Sequence, residues 1–457
     1  MKLDPHIFRA YDIRGVVENA LTPDVVEVIG QALGSLYPQC KTVVVGRDGR
    51  LSSKTLADRL SQGLITSGVN VIDIGEVPTP VLYYATHKFN TGSGVMVTGS
   101  HNPPEYNGLK MVMDSKTLHG DDIQSIYQCL VDNKLVKNAT GNTQHEDLMD
   151  DYIERITSDV KLSKPLRIGI DCGNGVAGPA ALKLFPKLGC EVIDLYCEVD
   201  GTFPNHHPNP SEPENLDELI DTVKKNNLDI GLAFDGDGDR VGVIDDKGVV
   251  LWADRQMMLY SRDVLERNPG AKIIFDVKSS RNLGAVIEQA GGEPVMWKTG
   301  HSFIKNKMAE TGALLAGEMS GHIFFKERWY GFDDALYSAA RLLEIITNQD
   351  LSTSELFATL PNAVSTPEII VHLDKDGAQH TFVQKFVDQA KLPNAQITTI
   401  DGIRADYDHG WGLVRASNTT PAIVIRFEAE NDSVMEEIKS AFRKEMSKVD
   451  ADLKLPF

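Results

Sequence analysis

Residues 42–75 read TVVVGRDGRLSSKTLADRLSQGLITSGVNVIDIG, and the pattern of this stretch decides the fold. A short apolar run that ends at Asp48 predicts a buried strand. The polar loop after it leads into a helical pattern from Leu56 to Leu64, and a second strand pattern follows Gly68. The order of strand, polar loop, helix and strand is typical of a mostly parallel sheet covered by helices.

The same order of elements recurs twice. In residues 166–195 it reads LRIGID, then the loop CGNGVAG, a helical pattern and the strand CEVIDL. In residues 272–297 it reads KIIFD, then VKSSRN, a helical pattern and the strand EPVMW. Because repeated units fold alike, we predict three similar α/β domains with mixed sheets in tandem, over residues 1–147, 148–248 and 249–362.

The remaining residues, 363–457, have a different pattern. TPEIIVHL, AQITTIDGIRADY, GWGLVRAS and PAIVIRFEA resemble strands, and residues 432–449 form an amphipathic helix pattern. Strands without the alternating helices of the repeats indicate an α+β domain. The chain is therefore predicted to end in a fourth, α+β domain over residues 363–457.

The composition disfavours several kinds of partner and compartment. The chain has 457 residues, with 46 Lys and Arg against 65 Asp and Glu, and a formal net charge of −19 at pH 7. Nucleic acid and anionic membrane bind basic surfaces, so neither is expected as a partner. The sequence contains no apolar stretch of membrane-spanning length and no signal-peptide pattern, and we expect a soluble, cytoplasmic protein. The five scattered cysteines are expected to be reduced thiols.

The loop TGSHNPPEYNG, residues 98–108, follows a predicted strand at the kind of sheet edge where ligands bind in α/β folds. Its prolines and glycines restrict the backbone, so the hydroxyl of Ser100, next to His101, could be held rigidly. One interpretation is a serine that attacks or carries a phosphoryl group, and the alternative is an ordinary surface turn. Lys110 follows the loop and could bring its ammonium near Ser100.

The loop DGDGDR, residues 235–240, lies between the apolar runs IGLAF and VGVI. Asp235, Asp237 and Asp239 offer carboxylates at alternate positions, and hard oxygen ligands are what Mg²⁺ prefers. An EF-hand is disfavoured because Arg240 stands where that loop requires glycine and because the flanks are predicted strands. We predict a magnesium site approached by an anionic ligand, with a solvated acidic turn as the alternative.

Two further loops carry clustered polar side chains. GEMSGH, residues 317–322, sets a carboxylate, a hydroxyl and an imidazole between glycines, a set that can hydrogen-bond the vicinal hydroxyls of a sugar. RASNTT, residues 415–420, places one arginine before short hydroxyl and amide side chains, which suits a bound phosphate. The alternative for RASNTT is a helix cap with a chance arginine.

Basic residues stand in several predicted loops beside strand ends. They are Arg9 and Arg14 in FRAYDIRG, Arg47 and Arg50 in VGRDGR, and Lys278 and Arg281 in DVKSSRN. Together they could focus a positive field in one cleft of an acidic protein, and solvated surface charge is the alternative for each. His301, in KTGHSFIK, is a candidate for proton transfer, with a structural histidine as the alternative.

The four loops, in this order and with one in each predicted domain, closely resemble the signature loops of the α-D-phosphohexomutase superfamily and its bacterial phosphomannomutase/phosphoglucomutase group. The resemblance extends from FRAYDIRG to RASNTT and so spans almost the whole chain. It implies an active site in a central cleft, a phosphoserine at Ser100, and one Mg²⁺ per chain bound by Ser100, Asp235, Asp237 and Asp239. Met319 in the third loop favours a neutral hexose over an amino sugar.

The resemblance also implies a set of residues in contact with the reaction. The catalytic candidates are Ser100, His101, Lys110, Arg14, Arg240 and His301. The substrate-binding candidates are Arg9, Tyr11, Lys278, Glu318, Ser320, His322, Arg415, Ser417, Asn418 and Thr419, of which the last four would hold the distal phosphate.

The activity implied by the resemblance is the reversible interconversion of a hexose 1-phosphate and a hexose 6-phosphate, of mannose, glucose or both. A phosphoryl group would pass from Ser100 to the free hydroxyl, the hexose 1,6-bisphosphate would turn end for end, and its other phosphate would return to Ser100. The base for the sugar hydroxyl is sought among Lys110, His301 and Arg14. Lysine is attractive because neighbouring cations can lower its pKa.

Two alternatives remain open at this stage. A phosphoserine-dependent sugar phosphatase would share the serine and the metal site but would not need a distal phosphate loop. A non-catalytic sugar-phosphate binding protein would not need the serine and three carboxylates together. In either case the expected partner is a phosphosugar, and we expect a monomer or a weak homo-oligomer.

Overall fold

The computed structural model describes residues 3–137, 141–375, 377–418 and 420–457. Its sheets follow one another along the chain, each with its own helices. Short 3-10 helices at Pro5–Ile7 and Pro213–Leu216 precede the first strand and the seventh α-helix. Among the described residues, none of the helices is both long and apolar enough to cross a bilayer.

The first sheet contains the first repeat. Its elements are β1 (Ile13–Val16), α1 (Pro23–Leu36), β2 (Thr42–Arg47), α2 (Ser53–Thr66), β3 (Asn70–Glu76), α3 (Thr79–Lys88), β4 (Gly94–Val97), β5 (Tyr106–Met113), β6 (Lys116–Thr117), α4 (Asp121–Val131) and β7 (Thr143–His145). The strand order is β1-β5-β4-β2-β3-β7, with β6 beside β5. Strand β2 pairs parallel with β3 and β4, whereas β4 and β5 pair antiparallel.

The second and third sheets repeat this arrangement. The second part has α5 (Met149–Asp159), β8 (Arg167–Asp171), α6 (Gly178–Lys187), β9 (Glu191–Leu195), α7 (Asp217–Asn226), β10 (Ile230–Phe234), β11 (Val241–Asp245) and β12 (Val250–Leu251). The third has α8 (Ala253–Arg267), β13 (Lys272–Asp276), α9 (Arg281–Gln289), β14 (Glu293–Trp297), α10 (His301–Thr311), β15 (Leu315–Gly317), β16 (Ile323–Phe325), α11 (Ala335–Thr347) and α12 (Thr353–Ala358).

The repeats share one topology. The orders β3-β2-β4-β5, β9-β8-β10-β11 and β14-β13-β15-β16 each consist of three parallel strands and a final antiparallel one. The fold prediction of three similar mixed-sheet α/β units is confirmed.

The C-terminal part is an α+β unit, as predicted. Its elements are β17 (Val364–Ser365), β18 (Ile369–His372), α13 (Ala378–Gln389), β19 (Gln396–Thr398), β20 (Ile403–Tyr407), β21 (Gly410–Ala416), β22 (Ala422–Ala429) and α14 (Asp432–Val449). Every described strand pair here is antiparallel. Helix α14 begins where Asn431 caps it and buries Met435, Ile438, Phe442 and Met446 on one face, each worth about 1.5–3 kcal/mol of apolar burial.

The apolar cores show which parts pack together. One apolar cluster is continuous from Val44 in the first part, through the second, to Leu360 in the third. The C-terminal unit has a separate core between its sheet and its two helices. The first three units are therefore joined by shared packing, and the fourth has a core of its own and meets the third at a small cluster of Val277, Trp411 and Leu413.

The C-terminal unit docks on the loop that follows β13. Arg404 donates from Nη1 to the carbonyl oxygens of Val277 at 2.7 Å and Ser279 at 2.8 Å. The guanidinium of Arg404 also lies 3.9 Å from the ring centroid of Trp411, which is fully buried. This contact brings the loop at residues 417–421 to the same cleft as the loops of the other units.

Candidate active site

Each loop that the sequence singled out is a hairpin at the end of its sheet. Residues 98–105 join β4 to β5, residues 235–240 join β10 to β11, and residues 318–322 join β15 to β16. Residues 417–421 join β21 to β22 in the same way. Because the repeats share their topology, the first three hairpins leave equivalent edges of their sheets and face a common cleft.

The hairpins touch one another in this cleft. A Cβ on Gly236 would lie only 2.4 Å from the carbonyl oxygen of Ser100, so glycine is required where the second hairpin crosses the first. Arg240 and His322 form an antiparallel bridge between the second and third hairpins. The site is therefore assembled by backbone contact between separate units.

Ser100 is held in an unusual backbone conformation. Its φ is +49°, in the left-handed region that non-glycine residues avoid at a cost of about 1–2 kcal/mol. The amide of Ser100 donates to Thr98 Oγ1 at 2.8 Å, and the side-chain hydroxyl donates to Asp235 Oδ2 at 3.0 Å. The residue is buried, so these contacts fix its hydroxyl against the carboxylates of the second hairpin.

The three carboxylates of the second hairpin are fully buried and lie together. Asp235, Asp237 and Asp239 offer oxygens that are all within 4.8 Å of one another. Asp235 Oδ1 accepts from the backbone amides of residues 238, 239 and 240 at 3.0, 3.1 and 3.2 Å. Asp237 Oδ1 has no hydrogen-bond partner among the described residues. A buried, unpartnered carboxylate oxygen beside two more carboxylates and a hydroxyl fits a hard divalent cation.

Lys110 neutralises part of this charge. Its Nζ lies 2.7 Å from Asp237 Oδ2 and also pairs with Asp239. Burial opposes the ammonium, yet Asp237 and Asp239 outweigh it and raise the pKa of Lys110. The expectation that neighbouring cations lower the pKa of Lys110 is wrong for this geometry, because the nearest charges are carboxylates.

The carboxylates respond differently to their surroundings. Burial, with the charges of Asp239 and Asp237, raises the pKa of Asp235 well above its usual value. Burial also opposes ionisation of Asp239, but Lys110 and His322 hold its pKa well below the usual range. The cluster therefore favours the entry of a positive charge near Asp235.

His322 lies between the second and third hairpins. Its Nε2 is 3.3 Å from Asp239 Oδ1 and its Nδ1 is 3.1 Å from Glu318 Oε2. Burial opposes the imidazolium, but Asp239 and Glu318 raise the pKa of His322 to about 9. The hydroxyl of Ser320 is 3.0 Å from the same Nδ1. Glu318 is held at its other oxygen by the amide of Gly300 at 2.6 Å.

His301 differs from His322. It begins α10 and is buried, and neither ring nitrogen has a hydrogen-bond partner among the described residues. Its Nδ1 is 3.6 Å from Asp333 Oδ2. Burial, with the charges of Lys305 and Lys110, lowers the pKa of His301 well below its usual value. A neutral imidazole is therefore available in the cleft.

The N-terminal segment forms one wall of the cleft. Arg14 pairs with Asp12 at 2.6 Å and donates to the side-chain oxygen of Asn102 in the first hairpin. The ring of Tyr11 lies edge-on to His301 with centroids 5.6 Å apart. Burial raises the pKa of the Tyr11 hydroxyl, and the charge of Arg415 acts against that rise.

His101 and Arg9 occupy more open positions. Both side chains are half-buried. Burial, with the charges of Arg240 and Arg14, lowers the pKa of His101 well below its usual value. The backbone amide of Arg9 donates to the Asp12 carbonyl at 3.0 Å.

The fourth hairpin carries the predicted phosphate loop. Arg415 is buried, and its Nε pairs with Asp401 Oδ2 at 2.9 Å. The hydroxyls of Ser417 and Thr420 are 3.0 Å apart. Asn418 is half-buried, and Thr419 lies outside the described residues. The helix-cap alternative for RASNTT is wrong, since this loop joins two strands.

Lys278 lies at the junction of the third and fourth units. Its Nζ is 2.6 Å from Glu368 Oε1 and 4.0 Å from Asp276 Oδ2. Burial opposes the ammonium, but Glu368 and Asp276 together raise the pKa of Lys278. Burial raises the pKa of Asp276 to about 6.

Three of the basic residues are engaged by structural partners. Arg47 pairs with Asp73 at 3.5 Å, and Arg281 donates to backbone carbonyls of residues 407 and 408. Arg50 is fully buried beneath the first hairpin. These three are therefore already engaged, and Arg9, Arg14 and Lys278 remain the candidates for the positive field predicted in the cleft.

Several residues of the cleft carry no sequence signal that singles them out. Thr79, the first residue of α3, donates its hydroxyl to Asp237 Oδ2 at 2.5 Å and its amide to the Asp237 carbonyl at 2.9 Å. Asp401 and Glu368 pair with cations from other segments. The turn pattern VPTP, residues 77–80, indicates that a helix begins at Thr79. It does not indicate that Thr79 pairs with Asp237.

Four domain families match the chain in succession. They are described as phosphoglucomutase/phosphomannomutase alpha/beta/alpha domain I over residues 5–137, domain II over residues 150–248, domain III over residues 252–364, and the C-terminal domain over residues 364–445.

Curated relatives and solved structures agree with these matches. A phosphomannomutase/phosphoglucomutase of Pseudomonas aeruginosa is 53% identical over 457 residues, covering 100% of this chain and 98% of the relative. A phosphoglucomutase of Neisseria meningitidis is 49% identical, covering 96% of each chain. A crystal structure of a phosphoglucomutase/phosphomannomutase family protein from Burkholderia thailandensis is 48% identical, with a TM-score of 0.94 and full coverage of both chains.

Proposed function

The chain belongs to the phosphoglucomutase/phosphomannomutase family and is a mutase of phosphorylated hexoses, and from this premise we propose how its residues perform the reaction. The substrates are the 1- and 6-phosphates of mannose, glucose or both. The phosphoryl group is carried by Ser100, and hexose 1,6-bisphosphate is the intermediate and activator. The observation that carries this proposal is the contact of 3.0 Å between Ser100 Oγ and Asp235 Oδ2 at the meeting point of the hairpins.

Ser100 serves as the carrier because its oxygen is fixed in space. The left-handed backbone and the contact to Asp235 leave the hydroxyl little rotational freedom. Phosphoryl transfer depends on in-line positioning and on charge neutralisation more than on covalent help. A fixed oxygen satisfies the first requirement.

We propose that Asp235, Asp237, Asp239 and the Ser100 phosphate hold one Mg²⁺. The fit rests on the buried Asp237 Oδ1, which lacks a hydrogen-bond partner among the described residues, and on the oxygen-only donor set. When bound, the cation neutralises charge on the transferring phosphoryl group. Arg240, whose Nε lies 3.9 Å from Asp235 Oδ2, adds positive charge on the same side.

The sugar lies between the first and third hairpins in this proposal. Glu318 and Ser320 meet the sugar hydroxyls, and His322 orients Glu318 through the contact of 3.1 Å. The rest of the sugar-binding cleft is lined by Tyr11, Arg9 and Lys278. Met319 in this hairpin favours a neutral hexose over an amino sugar.

The distal phosphate is held by the fourth hairpin, from Arg415 to Thr419. Arg415 presents a planar donor pair suited to a phosphate, and Asp401 fixes its orientation from behind at 2.9 Å. Short hydroxyl and amide side chains can donate hydrogen bonds to a phosphate in either orientation of the sugar. The turning of the bisphosphate requires this.

We assign the role of base to His301 among the three candidates. Lys110 and Arg14 are each paired with carboxylates and have raised pKa values, so both remain charged. His301 is neutral, because burial lowers its pKa, and its ring nitrogens have no hydrogen-bond partners among the described residues. Arg14 then orients the phosphoryl group and Lys110 holds the carboxylates. His101 lies beside Ser100 and shields its phosphoryl group from water.

The limits of the units, the oligomeric state and the compartment are part of the proposal. We place the domain limits near residues 147, 248 and 362; the first and last lie between the elements of successive sheets, and the second lies in the turn between β11 and β12 of the second sheet. We propose a monomer or weak homo-oligomer in the cytoplasm, without nucleic-acid or membrane partners. Sedimentation at several protein concentrations tests the oligomeric state.

The decisive experiment is a coupled assay on mannose 1-phosphate and glucose 1-phosphate, with and without the matching 1,6-bisphosphate. We expect isomerisation that the bisphosphate stimulates. A sugar phosphatase would instead release free phosphate at the rate of substrate loss, and a binding protein would convert neither sugar. The matched control for Ser100→Ala is Ser67→Ala, which also changes a buried serine of the first unit but one whose hydroxyl donates to the Leu64 carbonyl of α2 at 2.6 Å.

A further inference from the structure

We infer that Arg50 is a positioning residue for the phosphoserine, because its guanidinium is the centre around which the first hairpin is folded. The inference rests on the proposed role of Ser100. Arg50 belongs to the loop after β2, and it contacts neither the carboxylate cluster nor the sugar-binding hairpin through any described hydrogen bond. It acts on the reaction through the backbone of the carrier residue.

Each guanidinium nitrogen of Arg50 donates to an acceptor, and four of the acceptors are carbonyls of the first hairpin. The side chain of Arg50 is fully buried. The contacts are from Nε to Asp48 Oδ2 at 3.2 Å, from Nη1 to the carbonyls of Pro103 at 2.6 Å and Tyr106 at 3.0 Å, and from Nη2 to the carbonyls of Ser100 at 2.7 Å and Asn102 at 2.5 Å. A guanidinium has five N–H donors in a fixed plane, so this set uses all of them.

Asp48 ties the other end of the hairpin to the same guanidinium. Its Oδ2 accepts from the Thr98 hydroxyl at 2.8 Å and from the Gly99 amide at 3.1 Å, as well as from Arg50. Its Oδ1 accepts from the Arg50 amide at 3.0 Å and from the hydroxyl of Ser53. The residues on both sides of Ser100 are therefore attached to one buried ion pair.

The guanidinium also fits closely against its surroundings. A Cβ on Gly99 would lie 2.5 Å from both Cζ and Nε of Arg50, so the hairpin backbone lies directly against the guanidinium plane. On another side, the ring of Phe203 from the second unit lies 5.0 Å from Cζ. Arg50 thus connects the hairpin of Ser100 to the unit that carries the metal-binding carboxylates.

This arrangement matters because Ser100 adopts a conformation that it would not keep alone. The contact from Arg50 to the Ser100 carbonyl stabilises the left-handed φ of +49° and sets the direction of the hydroxyl. Misplacing a reacting group by about 1 Å can cost roughly a hundredfold in rate. Lysine cannot replace arginine here, since an ammonium has three donors and no planar fork.

The test compares Arg50→Lys with Arg341→Lys. Arg341 is an equally buried arginine in the third unit, paired with Asp263 at 2.7 Å and Glu327 at 3.0 Å, away from the cleft. Both variants lose a buried guanidinium and should lose thermal stability. We expect only Arg50→Lys to lower kcat, by about a hundredfold, with KM changed less than about threefold. We also expect that, in this variant alone, a larger share of the Ser100 phosphoryl group is transferred to water and released as free phosphate. If Arg50→Lys folds and has the same kcat as Arg341→Lys, and releases the same share of the phosphoryl group as free phosphate, the inference is wrong.

Gly99→Ala serves as a second variant should Arg50→Lys fail to fold. It displaces the hairpin from the guanidinium without removing a buried charge, and we expect the same fall in kcat and rise in phosphate release. A folded Gly99→Ala protein that divides the phosphoryl group between sugar and water in the same ratio as the parent would overturn the inference. The parent enzyme is assayed alongside: loss of isomerisation or of Ser100 phosphate in the parent refutes the proposed function itself, whereas a normal parent with insensitive variants refutes only the role of Arg50.

Discussion

Replacing Lys110 with methionine tests the charge balance on which the proposed metal site depends. The ammonium of Lys110 lies 2.7 Å from Asp237 Oδ2, with side chains 3% and 0% exposed. Breaking a buried pair by removing one partner costs about 3–5 kcal/mol, because the other charge remains buried without compensation. We expect a loss of that size in the free energy of unfolding measured in urea with chelator present.

The same variant should respond more strongly to Mg²⁺ than the parent. Lys110 competes with a cation for the oxygens of Asp237 and Asp239, so its removal favours binding of the divalent ion. A ligand at a hundred times its Kd stabilises a protein by about 2.7 kcal/mol, and a tenfold lower Kd adds about 1.4 kcal/mol at the same concentration. We therefore expect the stability gap between parent and variant to narrow as Mg²⁺ is added, while turnover stays low.

Lys278→Met is the matched control for this measurement. Lys278 is another buried lysine with a carboxylate partner, Glu368 at 2.6 Å, but it does not contact the three carboxylates of the second hairpin. Its loss of stability should be the same with and without Mg²⁺. If Mg²⁺ raises the free energy of unfolding of Lys110→Met and of the parent by the same amount, Lys110 does not share oxygens with the cation.

Three further predictions concern the carrier, the metal ligands and the phosphate loop. Intact-mass analysis of the purified enzyme should show a phosphate adduct that maps to the peptide containing Ser100, and Ser100→Ala should be inactive; a fully active variant would contradict the carrier role. Asp237→Asn should weaken Mg²⁺ binding, measured by calorimetry, by at least about tenfold, since it removes one of three carboxylate ligands; it should cost less stability than Lys110→Met, because Lys110 keeps Asp239 as a partner, and activity that survives exhaustive chelation would refute the site. Arg415→Ala should raise KM by about 10–150-fold, equivalent to roughly 1.5–3 kcal/mol for a lost charge-assisted hydrogen bond, and increase escape of the bisphosphate; an unchanged KM would refute the phosphate site.

The repeated βαβ units could be predicted from the sequence because their strands are long enough to show a pattern. The helix predicted at residues 432–449 matches α14 at Asp432–Val449 for the same reason. The final antiparallel strand of the third repeat could not be paired from sequence, since Leu315–Gly317 and Ile323–Phe325 have only three residues each. Their pairing is decided by the neighbouring strands rather than by local periodicity.

The chemical character of each loop could be predicted from the sequence, but the contacts between loops could not. The carboxylates at Asp235, Asp237 and Asp239 stand out as a motif within six residues. The pair of Lys110 with Asp237 joins different units, and no local pattern indicates it. The expected direction of the pKa of Lys110 was consequently wrong, because a pKa depends on the nearest charges in space.

Five cations of the cleft share one feature, which reconciles the proposed phosphate-binding site with a chain of net charge −19. Each is held by a carboxylate of its own: Arg14 by Asp12, Lys110 by Asp237, Lys278 by Glu368, His322 by Glu318 and Arg415 by Asp401. A carboxylate partner fixes the direction of a donor and keeps the buried charge compensated before the substrate arrives. A phosphosugar therefore meets donors that are already oriented, and a phosphate dianion gains more than a singly charged anion because it interacts with several such donors at once. The net negative charge of the chain then slows the approach of anions in general, while the paired cations within the cleft favour anions that carry a phosphate group.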